Sequence, residues 1–541
     1  MDILHSDVAV IGGGVGGCAA ALALAEAGRT VVMTEEFAWI GGQLTSQAVP
    51  PDEHGWIEKF GCTRNYRRYR EGVRAYYREH YPLLPKHRDD PKLNPGNGWV
   101  SPLCHEPRVA LAVLESMLAK YVSSGRVRIL HQHRPISAKA DGANRVGSVI
   151  VRDLTTGVEA ELRAKYFLDA TENGDLLPLA GIEHVTGAES RAETGEASAP
   201  QKAAPQNVQA FSVCFVIEER AGENHVIPKP ARYDFWRSYV PKLTPPWPGP
   251  LIGWAGLNPR TMQQMKYNFN PHREKPALFS GLWAFRRIVD RAQFEPGAYD
   301  SDVCLVNWPM IDYMEGDILT CDETTRAARI ADAKELSLSK VYWLQTEAPR
   351  PEGGHGWPGL RLRGDLLGTS DGLAMAPYIR ESRRIRAVKT IVERDVSEVF
   401  RPGEKLAERY EDSVGIGYYR IDLHPSTGGD NYIDVPSLPF RIPLGAMIPV
   451  RVDNVLPAAK NIGTTHITNG CYRLHPVEWN IGEAAGALAA WCLAQSETPR
   501  AVHASREKTS AFQSHLEARG VELAWPENLV LDDGDPHAHA R

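Results

Sequence analysis

The stretch DVAVIGGGVGGCAAALALAEAGRTVVMTEE (Asp7–Glu36) decides the fold. It opens with a short apolar run at 7–11, which predicts a buried strand. An Ala- and Leu-rich segment at 15–28 predicts a helix, and a second apolar run at 30–34 predicts the next strand. Strand, glycine turn, helix and strand in this order indicate a βαβ unit that binds a dinucleotide.

Three glycines of this stretch fit the pattern G-x-G-x-x-G. We expect Gly12 to form a tight turn, Gly14 to let the backbone approach a pyrophosphate, and Gly17 to let the helix pack on the strand. The helix N-terminus adds N–H donors for the phosphates. Glu35, at the end of the second strand, is predicted to bind a free ribose 2′-hydroxyl, which argues against NADP. The alternative is a glycine-rich turn without a ligand.

Size and composition limit the classes of protein that the chain can belong to. It has 541 residues, 43% of them hydrophobic and 24% charged, and a formal net charge of −6. No Lys/Arg-rich block occurs, which argues against nucleic acid or an anionic membrane as the main partner. No apolar run approaches the ~18 residues of a membrane span. The eight cysteines are scattered without metal-site spacing, so we expect reduced thiols, no metal and a cytoplasmic protein.

Periodicity and composition predict the remaining elements and the domains. Between about 190 and 440, Pro and Trp are dense, which indicates a second domain that contacts the substrate. We predict a discontinuous dinucleotide-binding domain of residues 1–190 and 441–500, a substrate domain of 191–440, and a C-terminal helix and frayed tail within 501–541. Further helices are predicted at 64–81, 107–122 and 375–395, and strands at 126–133, 146–153, 158–163 and 165–171.

Two segments after the first unit resemble motifs of FAD proteins of the glutathione-reductase type. In WIGGQLTS (39–46), Gly41 and Gly42, followed by Gln43, match a Gly-Gly pair that passes close to the flavin. In AKYFLDATENGDLLPLAGI (164–182), Asp169 and Ala170 begin a match to the family's strand and A-T-G-x-G-D segment. Glu172 departs from that pattern, because a Gly is common at its position.

A third segment, NVLPAAKNIGTTHITNGCYRLHPVEWNIGEAAGALAA (454–490), resembles the C-terminal flavin motif. In that motif a strand runs to the ribitol and a helix N-terminus points at the pyrimidine end of the isoalloxazine. The resemblance implies cofactor contacts for Asn461, Gly482 and Ala485, with the backbone N–H groups around Gly482–Ala485 as donors to the flavin. Close packing of a small-residue helix is the structural alternative.

Together the three segments resemble the FAD-dependent oxidoreductase family, including fumarate-reductase-like and thiazole-synthase-like relatives and, more narrowly, its bacterial members. The resemblance implies an α/β fold in which a discontinuous, glutathione-reductase-type FAD-binding Rossmann domain carries an inserted α+β substrate domain. The implied cofactor is FAD. No second G-x-G-x-x-G follows an apolar strand in the sequence, so we expect no separate NAD domain.

Candidate catalytic residues follow from the same resemblance. His466, Gly470 and Arg473 match an H-x-x-x-G-x-x-R segment that lies near the isoalloxazine in the family. We expect His466 to accept a proton and Arg473 to clamp a substrate carboxylate. His424, in the second domain, is a further candidate. For each of them a structural hydrogen bond is the alternative.

We therefore expect a dehydrogenase or oxidase that transfers a hydride between flavin N5 and a small, polar, carboxylated substrate. Without an NAD domain, oxygen or an external acceptor would take the electrons. Two other classes stay open: an FAD-containing lyase or isomerase without net redox turnover, and a non-catalytic flavin-binding assembly subunit. A homodimer also stays open.

Overall fold

The structure, a computed structural model, describes residues 1–272 and 281–531. Its strands are Asp2–His5 (β1), Val8–Ile11 (β2), Val31–Glu35 (β3), Val127–His131 (β4), His133–Ala140 (β5), Val146–Asp153 (β6), Glu159–Arg163 (β7), Tyr166–Asp169 (β8), His184–Val185 (β9), Phe211–Ser212 (β10), Phe215–Glu219 (β11), Ala255–Leu257 (β12), Gln264–Lys266 (β13), Arg287–Val289 (β14), Val303–Val306 (β15), Asp312–Tyr313 (β16), Leu360–Leu362 (β17), Arg384–Ile385 (β18), Ser413–Gly417 (β19), Ile421–Leu423 (β20), Ile433–Val435 (β21), Phe440–Pro443 (β22) and Val455–Pro457 (β23). Its helices are Val15–Glu26 (α1), Arg64–His80 (α2), Pro85–Arg88 (α3), Pro107–Ser123 (α4), Leu176–Leu179 (α5), Arg191–Thr194 (α6), Tyr233–Ser238 (α7), Leu282–Phe285 (α8), Glu323–Thr346 (α9), Gly364–Leu367 (α10), Glu393–Val396 (α11), His466–Tyr472 (α12), His475–Gln495 (α13), Pro499–Ala504 (α14) and Arg506–Ala518 (α15).

A parallel sheet lies at the centre of the dinucleotide-binding region, with the strand order β23-β8-β2-β3-β4. Strands β2, β8 and β23 are buried along their whole length, which is typical of parallel strands that are covered on both faces. Because β23 comes from the far end of the chain, the sheet is assembled from both termini. This arrangement confirms the predicted Rossmann-type α/β class.

Helices α1 and α13 cover this sheet and pack closely on each other. Ala, Gly and Leu dominate both helices, so their backbones can approach without bulky side chains between them. A Cβ atom built on Gly482 would lie 2.5 Å from Cα of Gly16, and one on Gly486 would lie 3.0 Å from Cα of Ala20. The small residues of the C-terminal motif therefore form a helix–helix contact.

A second sheet, of order β1-β7-β6-β5, was only partly predicted from the sequence. The single strand predicted at 126–133 is wrong, because it is divided into β4 and β5. Gln132 between them has φ +56°, a left-handed conformation that breaks an extended strand. Strand β1, which the sequence did not indicate, pairs in parallel with β7.

The Trp-rich region has an apolar core of its own, formed by residues between 210 and 379. Strands β14, β15, β11 and β17 form its sheet in that order, and α9 packs on α7 and β16. Its buried indoles include Trp236, Trp308 and Trp357. The domain limits drawn from the sequence stay a prediction.

The helix predicted at 375–395 is wrong. The structure has only β18 and α11 within this range. The residues at 378–382 are buried consecutively, whereas a helix at a surface would bury one face. Two arginines of this segment are buried ion-pair partners: Arg380 pairs with Asp312 and Arg384 with Glu189.

The C-terminal part contains two helices, α14 and α15, where the sequence predicted one helix and a tail within 501–541. The end of the predicted tail, from residue 532, lies outside the described residues. Among the residues that the structure describes, no helix is both long and apolar enough to span a membrane.

Candidate functional site

The glycine turn after β2 has the close packing that its sequence predicts. Gly12 has φ +105°, and a Cβ atom there would lie 2.6 Å from the amide nitrogen of Thr171. A Cβ atom on Gly17 would lie 3.0 Å from the carbonyl carbon of Gly12. Any side chain at these two positions would collide with backbone, so the turn can only be made with glycine.

Glu35 ends β3 beside this turn. Its carboxylate accepts hydrogen bonds from the N–H groups of Gly13 (3.1 Å) and Phe37 (2.9 Å). It lines a small pocket together with residues 12–14 and 170–172. Burial, as the largest cause, together with the neighbouring carboxylates of Glu172 and Glu36, raises the pKa of Glu35 to about 8. The two hydroxyls of a ribose are donors for this side chain, so Glu35 is suited to the ribose of a dinucleotide.

A second glycine turn lies directly against the first. The N–H of Gly41 donates to the carbonyl of Gly13 at 2.7 Å, and both Gly41 and Gly42 have positive φ angles. Gln43 follows, and its Nε2 donates to the Arg473 carbonyl (3.0 Å) and to Oε2 of Glu478 (2.6 Å). The predicted Gly-Gly pair is thus connected to the start of α13.

The carboxyl ends of β8 and β23 meet beside the first glycine turn, where ligands bind in open α/β sheets. Asp169 ends β8, and its Oδ1 accepts from the hydroxyl of Thr171 at 2.7 Å. Burial raises the pKa of Asp169 to about 7. Ala170 follows in the wall of the small pocket, and Asn461 donates from Nδ2 to the Asp169 carbonyl at 3.0 Å. Asn461 therefore joins the two strand ends.

The donor role expected for Gly482 and Ala485 needs correction. Both lie beyond the first turn of α13, which begins at His475, so their N–H groups bond within the helix. Only the first turn of a helix leaves its N–H groups free for a ligand. Gly482 instead packs on Gly16, as the structural alternative proposed.

His466, the first residue of α12, is buried in a network of ion pairs. Its Nδ1 lies 3.0 Å from both carboxylate oxygens of Glu381, which also pairs with Arg384 at 2.6 Å. Although burial lowers it, the pKa of His466 lies above its usual value because of Glu381. His466 is not among the residues that line the large cavity described below, so a structural role fits it better than proton transfer.

Arg473 ends α12 with its guanidinium already paired. It donates to the hydroxyl of Tyr378 at 3.0 Å and to the carbonyl and Oδ2 of Asp422 at 3.1 and 3.2 Å. It is buried behind Asp422 and does not line the cavity. Arg473 is therefore placed to hold Asp422 rather than to bind a substrate.

A cavity of about 370 Å³ lies between the Trp-rich region and the segment around β20. This volume suits a small organic molecule. Its aromatic lining is Tyr267, Phe285, Trp308, Tyr418, Tyr419 and Tyr432, and its charged or ionisable lining includes His54, Arg260, Arg286, Arg420, Asp422, His424 and Asp434. Of the predicted catalytic residues, only His424 lines it.

His424 is held by a buried carboxylate that the sequence did not reveal. Its Nδ1 lies 2.6 Å from Oδ2 of Asp312, which also accepts from Ser212 (2.6 Å) and pairs with Arg380 (3.1 Å). Burial opposes ionisation of Asp312, but Arg380 and His424 outweigh it and hold its pKa below the usual value. The Asp312 contact occupies Nδ1, which leaves Nε2 as the ring nitrogen available to the cavity.

Arg286 is the second residue of the cavity that sequence reasoning missed. Its nearest carboxylate, Asp52, is 3.5 Å away, beyond a close ion pair. In contrast, Arg420 is paired closely with Asp434. The N–H of Asp52 donates to Nδ1 of His475 at 3.1 Å, so this wall of the cavity continues to the start of α13.

The two glycine turns, the buried acid at the end of β3 and the meeting strand ends define a dinucleotide-binding fold of the flavoprotein type. The family model described as FAD dependent oxidoreductase matches residues 7–516. The chain therefore belongs to the FAD-dependent oxidoreductase family, and its cofactor is FAD. The glycine turns and Glu35 would hold the ADP part of FAD.

Comparison with solved structures finds distant flavoproteins. L-proline dehydrogenase from P. horikoshii is 18% identical over 34% of this chain and 24% of its own, with a TM-score of 0.19. A flavocytochrome c3 fumarate reductase is 14% identical over 30% of this chain and 33% of its own, with a TM-score of 0.19. OxyS anhydrotetracycline hydroxylase from Streptomyces rimosus is 18% identical over 42% and 41%, with a TM-score of 0.25.

The chain thus spans less than half the length of each of these solved chains. TM-scores this low give no information about the substrate of this protein. Among curated proteins, no similar sequence was found.

Proposed function

We propose that this protein oxidises or reduces a small carboxylated substrate in the 370 Å³ cavity by hydride transfer to or from FAD. The observation that carries the proposal is the position of His424. Its side chain lines the cavity, and Asp312 occupies its Nδ1. FAD, when bound, supplies the acceptor or donor of two electrons. Oxygen or an external acceptor would complete the cycle.

In the oxidative direction, the hydrogen of a substrate C–H bond leaves as hydride, with both bonding electrons, and would be accepted by FAD. An adjacent O–H or N–H group of the substrate loses a proton. Nε2 of His424 is suited to take that proton. The Asp312 carboxylate stabilises the imidazolium that forms, because the two charges lie 2.6 Å apart in the interior. In the reductive direction the same nitrogen returns the proton.

Binding of the substrate carboxylate is assigned to Arg286 rather than to Arg473. Arg286 reaches the cavity, and its guanidinium lies 3.5 Å from Asp52 and over the ring of Phe285, whereas Arg473 donates to Tyr378 and Asp422. A guanidinium binds a carboxylate through two parallel hydrogen bonds, which fixes orientation as well as affinity. The aromatic walls would exclude water from the reacting atoms.

Cavity and cofactor site are connected through the protein. Asp422 of the cavity bonds Arg473, whose carbonyl accepts from Gln43, the residue after the Gly-Gly pair. Arg286 leads through Asp52 to His475 at the start of α13. The first route ends at the Gly-Gly pair, which the resemblance places close to the flavin, and the second at the helix N-terminus that it points at the pyrimidine end. Both routes support hydride transfer at this cavity.

The test is anaerobic mixing of the holoprotein with a panel of hydroxy, amino and aromatic carboxylic acids and their amides. We expect an acid to bleach the flavin absorption band and the matching amide to fail. In Arg286→Met, the concentration of acid needed for half-maximal bleaching should rise at least about tenfold, the size of one lost charge-assisted bond. Turnover without bleaching would favour the lyase or isomerase class, and no turnover with any acid would favour the assembly subunit.

A further inference from the structure

Three charged side chains meet beside the two glycine turns: Glu172, Lys460 and Glu478. The ammonium group of Lys460 is fully buried, directly paired with Oε2 of Glu172 and 3.6 Å from Oε2 of Glu478. The three residues come from the loops after β8 and β23 and from the first turns of α13. A buried ammonium persists only when such partners compensate its lost hydration.

The second oxygen of Glu172 lies between the glycine turns. This Oε1 would be 2.6 Å from a Cβ atom on Gly14 and 2.5 Å from one on Gly42. It is buried and has no hydrogen-bond partner in the part of the chain that is described. The carboxylate therefore lies against the backbone that a pyrophosphate has to approach.

The charges of Glu172, Lys460 and Glu478 also show that Glu172 competes with a pyrophosphate. Two carboxylates share one ammonium, so the cluster has no positive charge left for a further anion. The pyrophosphate of a dinucleotide brings negative charge to the same glycines and needs a cation or free N–H groups there. Glu172 and a bound pyrophosphate thus require the same space and the same partner.

We propose that Lys460 is a phosphate-binding residue of the FAD site and that Glu172 is its internal competitor, which leaves Lys460 when the pyrophosphate of FAD binds. The proposal explains the departure of Glu172 from the family's Gly: the carboxylate keeps the buried ammonium paired until the cofactor replaces it. It rests on the cofactor site alone and does not depend on the substrate or on His424.

The test measures dissociation constants with the full-length protein. FAD release is followed by flavin fluorescence on dilution of the holoprotein. ADP serves as a competitor that contains the pyrophosphate, and riboflavin as a competitor that lacks it. We expect Glu172→Gln to tighten FAD and ADP binding at least about tenfold and Lys460→Met to weaken both by a similar factor. Riboflavin, which lacks the pyrophosphate, should bind equally to all variants.

Two further variants separate this effect from damage to the fold. Lys460→Arg keeps the charge and should retain the affinity for ADP within a few-fold. Glu183→Gln removes a carboxylate that pairs with Arg451 away from the site, and it should change nothing. If Glu172→Gln leaves ADP affinity unchanged or lowers it, Glu172 is not a competitor. If Lys460→Met binds ADP as the wild type does, Lys460 is not a phosphate ligand.

Discussion

Substitution of one glycine in α13 should disturb both the stability of the fold and the cofactor site. In Gly482→Ala, the new methyl group would lie 2.5 Å from Cα of Gly16 and closer still to the Gly16 carbonyl oxygen. Ordinary contact begins at 3.4 Å, and the Gly16 carbonyl oxygen would lie 2.0 Å from the methyl carbon, so the helices must separate by about 1.4 Å, the difference between these two distances. The atoms in the way belong to the backbone of α1 and cannot rotate aside.

The expected cost follows from these distances. Overpacking of a buried contact costs about 1–3 kcal/mol, and the better helix propensity of Ala returns about 1 kcal/mol. We therefore expect a net loss of up to about 2 kcal/mol in the free energy of unfolding. Because Gly16 lies two residues after Gly14, a shift of α1 also moves the phosphate turn, and FAD affinity should fall about tenfold.

Gly72→Ala is the matched control. Gly72 lies inside α2, and the three atoms nearest to a methyl group there belong to the side chain of Val113, the closest at 2.8 Å, rather than to backbone. The control should lose less stability than Gly482→Ala and should keep the wild-type affinity for FAD. Urea unfolding and FAD release by fluorescence measure both effects. If Gly482→Ala unfolds and binds FAD like Gly72→Ala, the close contact between α1 and α13 is not as described.

Three further changes test other parts of the account. Glu53 and Arg70 form a buried pair at 2.9 Å, so Glu53→Ala should cost about 3–5 kcal/mol in urea unfolding, whereas Glu79→Ala at the surface should cost almost nothing. Burial lowers the pKa of His105 to about 4; the unfolded chain takes up this proton near pH 6.5 and the folded chain does not, so stability falls as the pH drops through this window. Between pH 7 and pH 5 the free energy of unfolding should fall by about 2 kcal/mol more in the wild-type protein than in His105→Gln. Equal decreases would exclude this titration. Glu35→Ala should weaken FAD binding at least about tenfold in the fluorescence assay, and an unchanged constant would remove Glu35 from the site.

Local patterns carried most of the fold of the cofactor domain. The first βαβ unit lies within one continuous stretch, so its strand, turn and helix could be predicted from hydrophobicity and glycine spacing alone. Strand β23 was assigned to the same domain from the strand-then-helix pattern of residues 445–495 and from the resemblance, although nothing in its three residues specifies a distant parallel partner. The segment at 375–395 failed for a related reason: its charges are neutralised by residues far away in sequence.

The catalytic assignments show the same limit. The pattern around His466 is local, but its function depends on Glu381, which lies 85 residues away. His424 could be named as a candidate, yet Asp312, the residue that orients it, is 112 positions distant. Arg286 carries no local signal, since it is one of two adjacent arginines. In this protein a structural side chain differs from a functional one in the distant residues that it contacts, and not in its residue type.

The central claim, that the proton in hydride transfer passes through His424, is tested most directly by the rate of flavin bleaching in His424→Asn. An acid that reduces the wild-type flavin under anaerobic mixing should reduce the variant about 10²–10⁴-fold more slowly, with a similar dissociation constant for the acid. His466→Asn, if it folds, should keep most of the wild-type rate. Full-speed bleaching in His424→Asn, or loss of bleaching only in His466→Asn, would contradict the account.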